Sequence, residues 1–152
     1  MLEAWRMVKG KHAATAFSGE GASKTGGRWN SRGVPVVYAS ATRSLAALET
    51  LVHLNPLVRF EYQIIRVEFD ESLVERLTHS ALPRNWKAEP PPVSTRRLGN
   101  EWARARRSAI LAVPSVIVPD ETNFVLNPAH PDFRKLAIGP AVAFSFDPRL
   151  IA

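Results

Sequence analysis

The chain has 152 residues, 45% of them apolar, and sets 20 Lys and Arg against 14 Asp and Glu for a formal charge of +6. That length suits one domain over residues 1–152, able to bury roughly two thirds of its unfolded surface without a disulfide or metal staple. The absence of cysteine excludes disulfides, thiol nucleophiles, CxxC redox chemistry and cysteine-based zinc or iron–sulfur sites. It also fits a reducing compartment. No segment approaches the ~20 apolar residues of a membrane-spanning helix, so a soluble cytoplasmic protein is expected. The basic residues are 15 Arg and 5 Lys. A planar guanidinium forks onto phosphate or carboxylate, so the bias points to an anionic partner without choosing among them.

In chain order, the first marked feature is a glycine-rich loop: five of the eight glycines lie between Gly19 and Gly33. Residues 34–40 follow as a β-rich run whose early Pro35 suggests an edge or a strand start. Residues 43–54 predict a helix, capped by Thr42 or Ser40 and stopped at Asn55-Pro56. Residues 59–69 predict a long strand. There Phe60, Tyr62 and Ile64 share one face, and Ile65, Val67 and Phe69 the other, which calls for a bulge or burial on both sides. Ser72-x-x-Glu75 has the pattern of a capping box opening a short helix through Leu77. Residues 78–94, with Pro90-Pro91-Pro92, read as an internal connection. A second helix is expected over residues 95–108, then short strands at 110–118, 124–126 and 141–146. The order β-α-β-α-α-β-β-β does not alternate strictly, which favours a mixed α+β fold over a doubly wound one.

Common catalytic signatures are absent. Gly19-Glu20-Gly21 begins like a dinucleotide fingerprint, but its sixth position is Lys24 and no convincing strand precedes it. No phosphate-binding loop spacing and no G-x-S-x-G elbow occur. The four histidines, His12, His53, His79 and His130, offer no i,i+4 pair, and no metal site is expected.

A few residues stand out against this background. Arg28 lies in Gly26-Gly27-Arg28-Trp29-Asn30, where two glycines let the backbone approach a ligand and the guanidinium can fork onto an anion such as pyrophosphate. It reads equally as a solvent-exposed loop arginine. Trp29 beside it is expected to pack on something. On a helical wheel Leu45, Leu48 and Val52 form the apolar stripe of the first helix, with Glu49 about 40° from Leu45 at its edge. His53 sits one turn later, so Glu49 is either reactive or engaged in an i,i+4 contact with His53. Tyr38 ends the strand leading into that helix and is either core or part of a cleft shared with Arg28 and Glu49. Ser115 is a hydroxyl in an apolar strand, bonded to backbone or to a ligand. Arg96, Arg97, Arg104 and Arg107 line one side of the second helix, opposite Leu98, Trp102, Ala105 and Ala109. That stripe is a solvated face, a nucleic-acid surface or a dock for an acidic partner.

Taken together, Phe17-Ser18-Gly19-Glu20-Gly21-Ala22, Gly26-Gly27-Arg28-Trp29-Asn30, Val37-Tyr38-Ala39-Ser40, Ala47-Leu48-Glu49, Val113-Pro114-Ser115 and Asn127-Pro128-Ala129-His130-Pro131 resemble, in order, the RES domain. The family's name-giving Arg, Glu and Ser match Arg28, Glu49 and Ser115. The resemblance implies a single α+β domain with the mixed sheets and flanking helices of ADP-ribosyltransferases. It implies a toxin of a RES–Xre toxin–antitoxin module, with NAD+ as substrate rather than cofactor. Members hydrolyse or phosphorolyse NAD+, or transfer its ADP-ribose to protein. The implied partner is an Xre-type helix-turn-helix antitoxin that blocks the cleft, giving a hetero-oligomer that meets DNA only through the antitoxin. Glu49, Arg28 and Tyr38 are then the expected catalytic residues. Ser115, Trp29 and Asn127 join Arg28 and Tyr38 in binding substrate, and the i,i+4 spacing of His53 adds it as a support for Glu49. The alternative is a non-enzymatic module that binds nucleic acid through the 95–108 helix.

Overall fold

The computed structural model describes residues 1–54 and 61–150. Its strands form one seven-stranded sheet in the order β4-β5-β6-β2-β1-β3-β7. These are β1 (Leu2–Lys9), β2 (Val37–Ser40), β3 (Tyr62–Phe69), β4 (Val74–Arg76), β5 (Ile110–Pro114), β6 (Thr122–Leu126) and β7 (Ala137–Phe144). The helices are α1 (Glu20–Thr25), α2 (Arg43–Leu51) and α3 (Val93–Arg104). The β4–β5 pair is parallel and the other pairings are antiparallel. This is the expected α+β class. The sheet is nearly two: β1 and β2 are joined through the single pair Trp5↔Ser40.

β1 was not expected, yet it lies inside the sheet. Successive side chains point to opposite faces, and both faces of β1 are covered, so no polar alternation marks it. Ala4 packs with Val67 and Phe69, Val8 with Ile65 and Ala16, and Trp5 on the opposite side with Ala46 and Ile64. Arg6 occupies a half-buried position of the same strand. Its guanidinium donates to the Ala16 and Tyr38 carbonyls at 2.6 and 2.9 Å, which ties the chain entering the glycine loop to β2. Burial pushes Arg6 down to about 10, so it stays charged at neutral pH.

β3 explains its own odd pattern. Ile64 and Ile65 are both buried, on opposite faces, so the strand is covered on two sides. The register against β7 also shifts between Ile65 and Val67, which pair with Ala141 and Ile138, so the extra residue falls on β7 near Pro140. Helix α2 ends at Leu51, one turn short of the expected Leu54, and the expected stop at Asn55-Pro56, with Arg59 and Phe60 of the expected strand, lies outside the described residues.

The capping-box helix at residues 72–77 is corrected to a single 3-10 turn, Glu71–Leu73, followed by β4. Asp70 caps the turn by accepting the Ser72 N–H at 2.8 Å. Glu75 does not reach back to Ser72, because it forms a bidentate pair with Arg107 at 3.1 and 2.6 Å. The second helix starts at Val93 and ends at Arg104 instead of running over 95–108. Beyond it, Arg106 adopts φ 51, and Ser108 accepts the Trp102 indole N–H and donates to the Ile110 carbonyl, steering the chain into β5.

Helix α2 begins where expected, with Thr42 accepting the Leu45 N–H at 3.0 Å. Thr42→Ala is expected to cost about 1 kcal/mol, read as a lower urea midpoint with an unchanged denaturant slope.

Candidate functional site

The sheet register gathers the polar residues of the site onto one face. Tyr38 and Ser40 are two apart on β2 and point the same way, about 7 Å from each other along the strand. Tyr38 lies opposite Val125 and Ser40 opposite Asn123. Asn123 is in turn opposite Val113 on β5, and Ser115 follows Val113 by two residues. Helices α2 and α3 cover this face, through Ala46 on Trp5 and Ile64, and through Trp102 and Ala103 on Leu111, Val113 and Val125.

Docking through the small Ala46 rotates α2 away from the orientation the wheel suggested. Leu45 and Ala46 are buried, whereas Leu48 and Val52 are exposed, so the expected stripe is corrected. Glu49, one turn after Leu45, therefore belongs to the inward side and reaches the sheet. Its Oε1 accepts the Ser115 hydroxyl at 2.7 Å and the Asn123 side-chain N–H at 2.8 Å. Ser115 is wholly buried, and its oxygen also accepts the Ile117 and Val118 N–H groups at 3.1 Å each. A hydroxyl has one proton and two lone pairs. With both lone pairs taken by backbone, its proton goes to Glu49. Asn123 accepts the Ser40 hydroxyl at 2.7 Å through Oδ1, which leaves its N–H group turned to Glu49.

A second cluster forms around Tyr38. Its hydroxyl donates to Asn30 Oδ1 at 2.5 Å and accepts the Trp29 N–H at 3.1 Å. Asn30 is fully buried and its amide donates to the Ala22 and Val34 carbonyls, so the phenol is bonded to a fixed loop. Gly27 makes this contact possible, since a Cβ there would lie 2.7 Å from the Tyr38 hydroxyl and 3.0 Å from Asn30 Oδ1. The missing side chain at Gly27 thus admits the tyrosine.

Burial pushes the Tyr38 phenol well above the ordinary tyrosine range, against the smaller opposing effects of the Trp29 N–H and the Arg28 charge. The folded state therefore holds this proton more tightly than the unfolded chain, whose tyrosines titrate near ~10. Tyr38→Phe, which strands the Trp29 N–H and Asn30 Oδ1, is expected to cost about 1–3 kcal/mol. Denaturant curves should show that difference constant below pH ~10 and shrinking above it, as the phenol's contribution is lost.

Arg28 is brought beside Tyr38, but its fork is occupied. The guanidinium donates to the Trp86 and Ala88 carbonyls at 2.9 and 2.8 Å and pairs with Glu89, leaving the side chain 14% exposed. The 78–94 connection thus folds over the glycine loop and sets a carboxylate on the arginine. Ser40 bridges the two clusters in sequence and space, two residues from Tyr38 and bonded to the amide that holds Glu49.

The structure treats the other expected site residues differently. Trp29 is 3% exposed and packs with Val34, Trp102 and Val125, so it is core. Asn127 is 1% exposed, with its amide donating to the Ala103 carbonyl at 3.0 Å and its oxygen accepting the Ala129 N–H at 3.0 Å. Both ends are spent on backbone, and the residue fixes a turn under α3. His53 is exposed, and neither expected link to Glu49 forms, because the carboxylate turns to Ser115 and Asn123. Sequence reasoning missed Asn123, Ser40 and Asn30. A signal existed for Asn123, an amide among the strand formers Phe124, Val125 and Leu126.

Of the basic helix residues, Arg97 and Arg104 are exposed with Glu101 between them, and Arg96 is half-buried. Arg107 lies outside the helix and is paired with Glu75. The face is of mixed charge. No described helix is long and apolar enough to cross a membrane.

A family model described as the RES domain matches residues 3–147. The chain is 42% identical to a protein named Prs ADP-ribosylating toxin from Sphingobium sp. (strain YBL2), covering 97% of this chain and 95% of that one. It is 38% identical to Toxin Res of Yersinia enterocolitica serotype O:8 / biotype 1B, covering 96% and 97%. Among solved structures, a chain of the M. tuberculosis MbcT-MbcA toxin–antitoxin complex superposes with a TM-score of 0.75 at 17% identity, covering 95% of this chain and 84% of that one. At that identity the likeness is one of fold.

Proposed function

Since the chain belongs to the RES domain family, we propose that it is the toxin of a toxin–antitoxin pair and that it acts by cleaving the nicotinamide–ribose bond of NAD+. The observation that carries this reading is Glu49, an inward carboxylate with one oxygen pinned by Ser115 and Asn123 and the other free of described hydrogen bonds. The name of the Sphingobium relative supports NAD+ as the donor.

The chemistry asks little of the protein. The leaving group is a pyridinium, so when the C–N bond breaks its electron pair neutralises the nicotinamide nitrogen and no general acid is needed. Positive charge develops on the ribose, and a fixed carboxylate beside it stabilises that charge without reorganising. The nucleophilic atom of the acceptor then bonds to the ribose carbon and releases any proton it carries to solvent. One glutamate suffices where ordinary glycoside hydrolysis takes two carboxylates. Arg28 would meet the pyrophosphate by exchanging Glu89 for two phosphate oxygens, which the guanidinium fork grips as it does a carboxylate. Tyr38 would line the ribose side through its ring, since its hydroxyl is bound to the loop. Ser115 acts through Glu49.

The acceptor is water, phosphate or a protein side chain, and the Sphingobium name favours protein. The partner is an Xre-type antitoxin in the cytoplasm, and the solved complex with a similar fold supports a protein partner. The nucleic-acid alternative is less well supported, given the interrupted charge on α3. Mass analysis of the products from NAD+, with and without phosphate and with an added cell extract, tests the reading. Nicotinamide is expected with free ADP-ribose, its phosphate ester or an ADP-ribosylated protein. A folded, partner-free protein that yields none of them would refute it.

A further inference from the structure

We infer that Asn123 is a positioning residue for Glu49 and that Ser40 anchors the Asn123 amide in place. This rests on the reading of Glu49 as the residue that acts on NAD+. A carboxylate on a helix can rotate about its side-chain torsions, and a single donor would leave it free to present either oxygen. Here two donors converge on the same oxygen, Oε1, from two different strand ends: Ser115 at 2.7 Å and Asn123 at 2.8 Å. Both donors act on that one atom, so Oε2 is the oxygen left for the substrate.

The two donors are fixed by different means. Ser115 is oriented by the Ile117 and Val118 N–H groups. An amide side chain can flip, and a flipped Asn123 would turn its oxygen on the carboxylate, an acceptor against an acceptor. The acceptor-only carboxylate excludes that flip, and Ser40 anchors the amide by the oxygen at its other end. Ser40 is 4% exposed, opposite Asn123 in the sheet, and its hydroxyl donates to Asn123 Oδ1 at 2.7 Å. The relay therefore runs from β2 through β6 to α2, and it couples the carboxylate to the strand that carries Tyr38.

Steady-state kinetics on NAD+ with Asn123→Ala, Ser40→Ala and the double variant test the inference. Asn123→Ala should lower kcat about 10- to 100-fold, the worth of one hydrogen bond to a charged group, with KM within about threefold of wild type. Ser40→Ala should lower kcat by less, and the double variant should be no slower than Asn123→Ala alone, since Ser40 acts through Asn123. Asn123→Leu keeps the bulk and removes both ends of the amide, and it should likewise lose at least tenfold in kcat. Unchanged kcat in Asn123→Ala or Asn123→Leu overturns the inference, and so do single-variant losses that multiply in the double. Those results, with an active wild type, leave the NAD+ reading intact, whereas a wild type inert toward NAD+ removes both.

Discussion

Glu49→Gln is expected to abolish most NAD+ turnover, lowering kcat by about 10²–10³-fold, the range seen when a preorganised electrostatic group is removed from a transition state. The substitution keeps the shape and leaves an oxygen able to accept from Ser115 and Asn123. Its stability should therefore stay within about 1 kcal/mol of wild type, the net worth of a neutral hydrogen bond. KM should change little, because Arg28 and the ring of Tyr38 remain. A loss confined to kcat identifies an interaction made in the transition state. If the variant turned over NAD+ at the wild-type rate, the charge of Glu49 would have no part in the chemistry.

The largest effect on stability is expected away from the chemistry, at Gly99. This residue lies on α3 where the helix crosses the glycine loop, and a Cβ there would sit 1.7 Å from the Trp29 carbonyl oxygen and 2.6 Å from its carbon. Those are backbone atoms, so no rotamer change relieves the overlap. Gly99→Ala must lift α3 off the loop, against an interface that buries Trp102 completely. Overpacking of this kind costs about 3 kcal/mol or more. In a thermal melt a domain of this size should lose roughly 6–12 °C or fail to fold. A helix interior ordinarily gains about 1 kcal/mol from the same exchange, so the sign of the shift is diagnostic. Because Trp29 N–H bonds the Tyr38 hydroxyl, the lifted loop should also disturb the Arg28 cluster. A Gly99→Ala protein as stable as wild type would mean that α3 and the loop do not meet as described.

How much of this was visible beforehand differs from residue to residue. The α+β class followed from an element order that does not alternate, and Thr42 as the cap of α2 followed from residue type. Glu49 was singled out as a carboxylate beside an apolar stripe, although the stripe itself was drawn one step off. A wheel ranks residues by hydrophobicity and cannot see that the close-packing residue is Ala46. β1 escaped because a strand covered on both faces carries no alternation, and Arg6 inside it reads as a surface residue. Its burial is satisfied only by carbonyls distant in sequence, at Ala16 and Tyr38.

The candidate site was legible where residue type singles a residue out and illegible where register brings residues together. Arg28, Tyr38, Glu49 and Ser115 could be named individually. That Asn123 would fall opposite Ser40, and so reach Glu49, follows from the β2–β6 pairing. Trp29 and Asn127 show the converse: both belong to motifs of the expected site, and both are consumed by packing and turn formation. His53 has helical spacing from Glu49 but stays exposed, since the carboxylate has better donors on the sheet.

If one fixed glutamate parts nicotinamide from ribose in this fold, purified wild-type protein freed of any co-purifying partner releases nicotinamide from NAD+. Multiple turnovers with an acceptor present, suppressed in Glu49→Gln, are the expected result. No release from a protein whose melting curve shows it to be folded would contradict it.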